Sequence, residues 1–163
     1  MVNTKCGINM GGRWKISAQG LDPIRTAIAC GRDLRISYKH AVEVCSTIKG
    51  MKLEEARRLL EDVVTLKKPI PFRRYHGKVG HRRGLQKWAA GRYPVKTAKE
   101  VLKLLDQLEA NAAYKGLDLD RLWIVHAVVH KGMKIRKYIP RAFGRATPYY
   151  QQLVHIELAV EER

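Results

Sequence analysis

The stretch that decides the fold is residues 122–160, LWIVHAVVHKGMKIRKYIPRAFGRATPYYQQLVHIELAV. Its first part, residues 122–129, is short, apolar and rich in β-branched side chains, which is typical of a buried strand. Residues 154–160 alternate apolar with polar or small side chains and predict a second strand. The basic stretch between them has no apolar periodicity. The interval 121–160 is therefore predicted to be an extended β-hairpin whose tip lies at about residues 131–146.

The N-terminal part of the chain gives weaker patterns. Residues 1–20 are glycine-rich and basic without periodicity, which predicts an irregular basic N-terminal arm. Asp22 is followed by proline, as at a helix N-terminus, and Gly31 is typical of a helix end. A short helix is therefore predicted over about residues 23–30, and residues 32–36 are a possible third strand.

Three longer helices are predicted from apolar side chains that recur every three or four residues. One begins after Ser37 and ends before Gly50, and the second follows at once, so these two are expected to pack as an antiparallel pair. The longest begins at Pro94 and ends before Gly116. The apolar faces consist of Ala41, Val44, Cys45 and Ile48; of Leu53, Ala56, Leu60 and Val63; and of Val95, Ala98, Val101, Leu102, Leu105, Leu108 and Ala112.

Positive charge is concentrated in two segments that contain no acidic residue. The 163 residues carry a formal net charge of +17, and residues 67–92 and 131–154 hold nine and six Lys/Arg. Glycine and proline in residues 67–93 predict a basic insertion loop with little regular structure. A chain that confines its unbalanced charge to such segments is suited to bind a polyanion, and nucleic acid is the first candidate. The predicted RNA-binding residues are Lys67, Lys68, Arg73, Arg74, Lys78, Arg82, Arg83, Lys87, Arg92, Lys131, Lys134, Arg136, Lys137, Arg141 and Arg145.

Aromatic and apolar side chains interleave with this charge. Guanidinium groups bind phosphates in a bidentate fork, and aromatic rings stack on unpaired bases. The alternative for each segment is a solvated basic loop without a ligand. The side chains expected to stack on bases, or to face an open space at the tip, are Phe72, Tyr75, Trp88, Met133, Ile135, Tyr138, Ile139 and Phe143.

No pattern in the sequence predicts catalysis, a metal site or a cofactor. His126 and His130 form HxxxH, but on a strand their rings would lie roughly 13 Å apart. Ala127 also replaces the glutamate of the zinc-protease motif. Half-buried strand histidines are expected instead, with His155 across the sheet. The three cysteines form no CxxC pair, and no apolar run has the length of a membrane span. A cytoplasmic protein is therefore expected.

Four further motifs are long and ordered: RISYKHAVEVCSTIKGMKLEEARRLLEDV at residues 35–63, ANAAYKGLD from Ala110, PRAFGRA at residues 140–146 and HIE at residues 155–157. They resemble one known family, the universal large-subunit ribosomal protein family number twenty-two (number seventeen in eukaryotic nomenclature). The resemblance covers residues 20–162, and the insertion KKPIPFRRYHGKVGHRRG resembles that of the archaeal and eukaryotic branch. The chain lacks the long basic tail of eukaryotic members, so an archaeal source is expected.

The resemblance implies a fold, a role and partners. The fold is a single α+β domain over residues 1–163, with three helices packed on a small three-stranded antiparallel sheet, the long hairpin and the basic insertion. The role is that of a non-catalytic constituent of the large ribosomal subunit that binds several domains of its rRNA and supports assembly. The hairpin tip, within Met133 to Arg145, would line the nascent-peptide exit tunnel. Neighbouring ribosomal proteins and, transiently, the nascent peptide are the other partners, and no homo-oligomer or membrane partner is expected.

Two other classes of function are compatible with the charge alone. A nuclease would need histidine, lysine and carboxylate side chains together, yet neither acid-free segment contains a carboxylate. A free basic chaperone or transcription-type binder would differ from a ribosomal protein in remaining in the soluble pool of a lysate.

Overall fold

The fold is given by a computed structural model, which describes residues 16–163. Most of the predicted N-terminal arm therefore lies outside the described residues. In chain order the elements are strand β1 (Thr26–Leu34), helices α1 (Tyr38–Ile48) and α2 (Leu53–Val64), strands β2 (Ile70–Pro71) and β3 (Gly91–Arg92), helix α3 (Val95–Tyr114), a 3-10 turn (Leu119–Arg121), and strands β4 (Leu122–Ile135), β5 (Tyr138–Pro140), β6 (Ala146–Pro148) and β7 (Gln151–Glu162).

The three long strands form one antiparallel sheet in the order β1-β7-β4. β7 is central and is buried over most of its length. β4 pairs with β7 along its whole length, from Leu122 opposite Glu162 to Ile135 opposite Gln151. Both strands predicted for the hairpin are confirmed, and each continues several residues further toward the tip. With three helices among the described residues, the predicted α+β class is also confirmed.

The short helix predicted over residues 23–30 is wrong, because that segment leads into β1. Asp22 does not cap a helix; its Oδ1 accepts a hydrogen bond of 3.0 Å from the backbone N–H of Ile24, as in a turn. Ala27 and Ala29 then alternate into the core as strand residues. β1 has small side chains where it meets the core. A Cβ built on Gly31 would lie 2.9 Å from Leu34 Cδ1 and 3.1 Å from Leu104 Cδ1, so both leucine side chains would have to shift.

The three longer helices are confirmed, with bounds close to those predicted. α3 packs on β1 and on α2, whereas α1 packs against β4. The predicted end of α3 is also confirmed, since Gly116 has φ +73 and the N–H of Leu117 donates to the carbonyl of Ala112. The helices and the sheet enclose one apolar core, which contains the residues of all three predicted apolar faces except Val95, with Leu102 partly buried at its edge.

The expected pairing of α1 with α2 is wrong, because their connection is attached to the sheet. The N–H of Gly50 donates to the carbonyl of Ile124, and the N–H of Ile124 donates to the carbonyl of Met51. These bonds extend the edge of β4 into the turn and direct α2 away from α1 and onto α3. No helix among residues 16–163 combines the length and apolar character that crossing a bilayer requires.

Candidate nucleic-acid interface

The fifteen lysines and arginines of the two acid-free segments are all solvent-exposed. None of them forms an ion pair with a carboxylate among the described residues; the pairs that exist there belong to other cations, such as Arg57 with Asp106 and Glu109. Exposed cations without internal partners keep their full charge for an external anion. The two segments therefore present an uncompensated positive surface.

The insertion has little regular structure, as expected, but it is attached to the core. β2 and β3 form a short antiparallel ladder, and Ile70 and Phe72 are both buried among core residues. The expectation that Phe72 stacks on a base is therefore wrong: its side chain is only 2% exposed. The ring of His40 on α1 meets Phe72 edge-on, with centroids 5.2 Å apart. Ile70 and Phe72 are both buried, whereas Pro71 between them is half-buried.

A buried carboxylate on α1 organises the turn that follows Phe72. Glu43 is 2% exposed, and its two oxygens accept hydrogen bonds from three consecutive backbone N–H groups. Arg73 donates to Oε2 at 3.0 Å, while Arg74 and Tyr75 donate to Oε1 at 2.9 and 2.7 Å. Three donors satisfy the carboxylate without a cationic side chain. The guanidinium groups of Arg73 and Arg74 therefore remain available at the surface.

The other insertion aromatics are partly exposed. The indole N–H of Trp88 donates to the carbonyl of Phe72 at 2.8 Å, which fixes the ring across the turn. The ring of His76 meets Trp88 edge-on at 5.6 Å. Tyr75 is half-buried and meets Tyr38 of α1 edge-on at 6.3 Å. Trp88 and Tyr75 thus keep exposed ring surface, and their stacking on bases stays a prediction.

The hairpin leaves the core well before its tip. No residue between Lys131 and Tyr150 is buried. Beyond Ile135, β5 and β6 form a second short ladder that ends in a tight turn, where Phe143 has φ +58 and a side chain that is 98% exposed. Ile135 is half-buried, and the other apolar side chains predicted here are exposed: Met133, Tyr138 and Ile139.

Sequence reasoning missed four tyrosines of this surface. Lysine or arginine side chains lie over three of their rings, at 5.1 Å for Tyr38, 5.6 Å for Tyr93 and 5.6 Å for Tyr150. Tyr149 is exposed beside Tyr150. Tyr38 and Tyr93 lie outside the two acid-free segments and meet the cations of Lys131 and Arg82 only in three dimensions, so a search within the segments does not find them.

The separation of roughly 13 Å expected for the rings of His126 and His130 on a regular strand is wrong, because both rings turn toward one carboxylate. His126 Nε2 and His130 Nε2 lie 3.8 and 3.5 Å from Oε2 of the buried Glu157, which also accepts a 2.6 Å hydrogen bond from the Ser17 hydroxyl. Burial lowers the pKa of His126, outweighing the opposite effect of Glu157. His155 lies directly opposite His130 across the sheet, as predicted. Within residues 16–163 no group of three or more His, Cys, Asp or Glu side chains has the arrangement of a metal site.

Comparison with known proteins identifies a family of similar sequences. Residues 29–161 match the family described as ribosomal protein L22p/L17e. A protein of Archaeoglobus fulgidus named large ribosomal subunit protein uL22 is 61% identical over 142 residues, which are 87% of this chain and 92% of that protein. Proteins of the same name from Thermofilum pendens and Methanocaldococcus jannaschii are 56% and 52% identical, over 91% and 94% of this chain and 97% of each relative.

Proposed function

Because the chain belongs to the ribosomal protein L22p/L17e family, we propose that it is a structural constituent of the large ribosomal subunit, in the cytoplasmic ribosome, and that it binds large-subunit rRNA. The observation that carries the proposal is the exposure of all fifteen cations in the two acid-free segments, together with the lack of ion pairs to them in the described part of the chain. Such a surface gains free energy by displacing counterions from a phosphate backbone.

The two segments are suited to different parts of an RNA. The insertion is held on the body by Ile70, Phe72 and the Glu43 hydrogen bonds, so its arginines form a patch of fixed position. The hairpin carries its charge beyond the core, where β4 continues from Lys131 to Ile135 and the ladder of β5 and β6 follows. A fixed patch and an extended arm together reach RNA segments that are far apart, which supports a role in assembly.

We further propose that the hairpin tip lines the nascent-peptide exit tunnel, as the family resemblance implies. A two-stranded ribbon has no core in which Met133, Tyr138, Ile139 and Phe143 could be buried. Their exposure in the free chain supports a location where they face bases or an open channel. Arg141 and Arg145, which flank the turn, would hold the tip on phosphates.

A catalytic role is not favoured by the carboxylates near the basic surface. Both oxygens of Glu43 are occupied by backbone N–H groups, so this residue lacks a free lone pair aimed at solvent for acid–base work. Glu157 is 2% exposed beneath His126, His130 and Ser17, where a nucleic-acid substrate cannot reach it. The histidines are therefore better explained as part of the sheet than as a nuclease site.

Sedimentation tests the proposal in cells. A tagged copy of the chain should travel with the large subunit in a sucrose gradient and be scarce in the soluble pool. Two charge variants sharpen the result, each with four cations replaced by glutamine: the insertion set Arg73, Arg74, Arg82 and Arg83, and a body set of Arg25, Lys96, Lys99 and Lys103. The insertion set should shift protein into the soluble fraction, and the body set should not. A wild-type chain that stays soluble would overturn the proposal.

Crosslinking tests the proposal that the hairpin tip lines the exit tunnel. A photoreactive phenylalanine analogue at Phe143 should crosslink to a nascent peptide stalled on the ribosome. The same analogue at Tyr114, an exposed residue at the end of α3, is the control and should give no such product. If Phe143 crosslinks only to RNA or to neighbouring proteins, the tip contacts the subunit interior but not the tunnel.

A further inference from the structure

An open cleft lies where three parts of the chain meet: the start of α1, the insertion and the base of the hairpin. Its volume is about 500 Å³, and it is lined by Tyr38, Tyr75 and Tyr150 and by Arg35, Lys39 and Lys131, among others. We propose that this cleft binds an unpaired nucleotide of the RNA; this proposal rests on the RNA binding proposed above. The base would stack on a tyrosine ring and the adjacent phosphates would bind the cations.

The aromatic lining is the first argument. Each of the three tyrosines comes from a different element, and Tyr38 and Tyr75 meet edge-on at 6.3 Å, so their rings form two walls of a corner. Tyr150 lies at the hairpin side and keeps 45% of its surface exposed. Unpaired bases stack on such rings, whereas the bases of a duplex are already covered by their neighbours. The lining therefore favours a single-stranded segment.

The charge of the cleft is the second argument. Lys131 Nζ lies 5.1 Å from the ring centre of Tyr38, Lys39 Nζ lies 5.8 Å from that of Tyr75, and Lys134 Nζ lies 5.6 Å from that of Tyr150. Each cation lies over its ring, so it is close enough to bind the phosphate attached to a base that stacks near that ring. No acidic side chain is among the residues that line the cleft. The cleft is thus better suited to an anionic ligand than to a cationic one.

The rigidity of the walls is the third argument. Tyr75 is held by the 2.7 Å hydrogen bond from its backbone N–H to Glu43, and Tyr38 packs against the core. On the hairpin side, the side-chain amide of Gln152 donates to the carbonyl of Gly132 at 2.6 Å. A cleft whose walls are already fixed loses little conformational entropy on binding. Gln151, at the rim, adds an amide that can hydrogen bond to a base edge.

Binding of short oligonucleotides to the full chain tests the proposal. The probe is a single-stranded RNA hexamer with 2-aminopurine, whose fluorescence is quenched on stacking. Tyr150→Leu should weaken binding about 5- to 150-fold, the range expected for loss of one base–aromatic stack. Tyr150→Phe should bind like the wild type. Tyr114→Leu, which removes a tyrosine that is 93% exposed and distant from the cleft, is the matched control. The salt dependence should not change, because no variant removes a cation.

The outcomes separate the two proposals. If wild type, Tyr150→Leu and Tyr114→Leu all bind the hexamer and large-subunit rRNA equally well, the cleft proposal is overturned and the proposed function stands. If the wild type binds neither RNA, the proposed function fails. Equal competition by a duplex hexamer would also overturn the cleft proposal. A hexamer containing 4-thiouridine should crosslink to Tyr38, Tyr75 or Tyr150 under ultraviolet light, and crosslinks confined to the hairpin tip would contradict it.

Discussion

The carboxylate of Glu43 accepts a 2.7 Å hydrogen bond from the backbone N–H of Tyr75, thirty-two positions further along the chain. Through this bond and its two neighbours, a buried acid on α1 determines where the arginines of the insertion lie. The acid-free insertion therefore depends on an acid from outside it. The charge of Glu43 acts on the backbone, so the positive side chains of the segment are left for an external ligand.

Glu43→Gln should destabilise the chain by about 1.5–3 kcal/mol in urea unfolding, because an amide offers one acceptor oxygen where the carboxylate offers two. The amide NH₂ would face either the N–H of Arg73 or the N–H groups of both Arg74 and Tyr75, without bonding to them. Glu55→Gln, an exposed position in the first turn of α2, is the control and should change stability by less than about 0.5 kcal/mol. Equal effects of the two substitutions would contradict the anchoring role.

Amide hydrogen exchange should be slow in part of the insertion and fast at the hairpin tip. The N–H groups of Arg73, Arg74 and Tyr75 should be protected in the free chain, because they are bonded to a buried carboxylate. Those of residues 141–145 should exchange quickly, because the tip has no buried side chain. α3 supplies the internal standard for strong protection. Similar fast exchange in both segments would show that the insertion is not anchored in solution.

Replacing residues 136–150 by Asn-Gly should leave the body folded. Ile135 and Gln151 are directly opposed, so a two-residue turn can join them. The removed residues contribute nothing to the core, and the thermal midpoint should change by only a few degrees. RNA affinity should fall, since Arg136, Lys137, Arg141 and Arg145 are lost. Global unfolding of this variant would mean that the tip is part of the core.

Stability should fall as the pH is lowered from about 7.5 to 5.5. Burial, with a contribution from Arg92, lowers the pKa of His40, and burial lowers the pKa of His126. The unfolded chain then binds protons near the ordinary histidine pKa of about 6.5 while the folded chain does not, so acid favours unfolding. His40→Gln should flatten this dependence, and Ser46→Ala, an exposed change on the same helix, should not. An unchanged slope in His40→Gln would contradict the assignment.

RNA binding by the isolated chain should depend steeply on salt. If about half of the fifteen cations meet phosphates, log K should fall with log salt at a slope on the order of −5 to −7, with about 0.7–0.9 for each phosphate contacted. Titration of a labelled rRNA fragment between low and moderate salt measures this slope. A value shallower than about −2 would contradict phosphate-dominated binding.

The sequence was sufficient for the parts of the fold that depend on local pattern. The helices have apolar residues at helical spacing, and the two hairpin strands are β-branched and apolar, so their local preference agrees with their final structure. β1 could not be found in this way. Ala27, Ala29 and Gly31 are poor strand formers. Gly31 lies close to the side chains of Leu34 and Leu104, and no local pattern indicates the contact with Leu104.

The positive charge of the interface could be predicted from the sequence, but the positions of its side chains could not. Exposure of the lysines and arginines follows from their chemistry. Phe72 has the same sequence neighbourhood as an RNA-stacking ring, yet it is in the core because α1 passes over it with His40. Glu43 lies outside the apolar face of its helix, so its burial depends on the insertion that folds over it. Contacts between distant segments decide both positions, and one sequence without structure does not show them.

The sheet order has a consequence for biosynthesis. β7 joins β1 to β4, although it is translated after both of them. Until residues 151–162 have been made, the two earlier strands each present an edge with no strand to pair with in this sheet. The sheet then closes in one late step that brings together segments as distant as Thr26 and Glu161, a topology that folds slowly. A product truncated before β7 would lack the strand that joins β1 to β4, so formation of this sheet requires synthesis of residues 151–162.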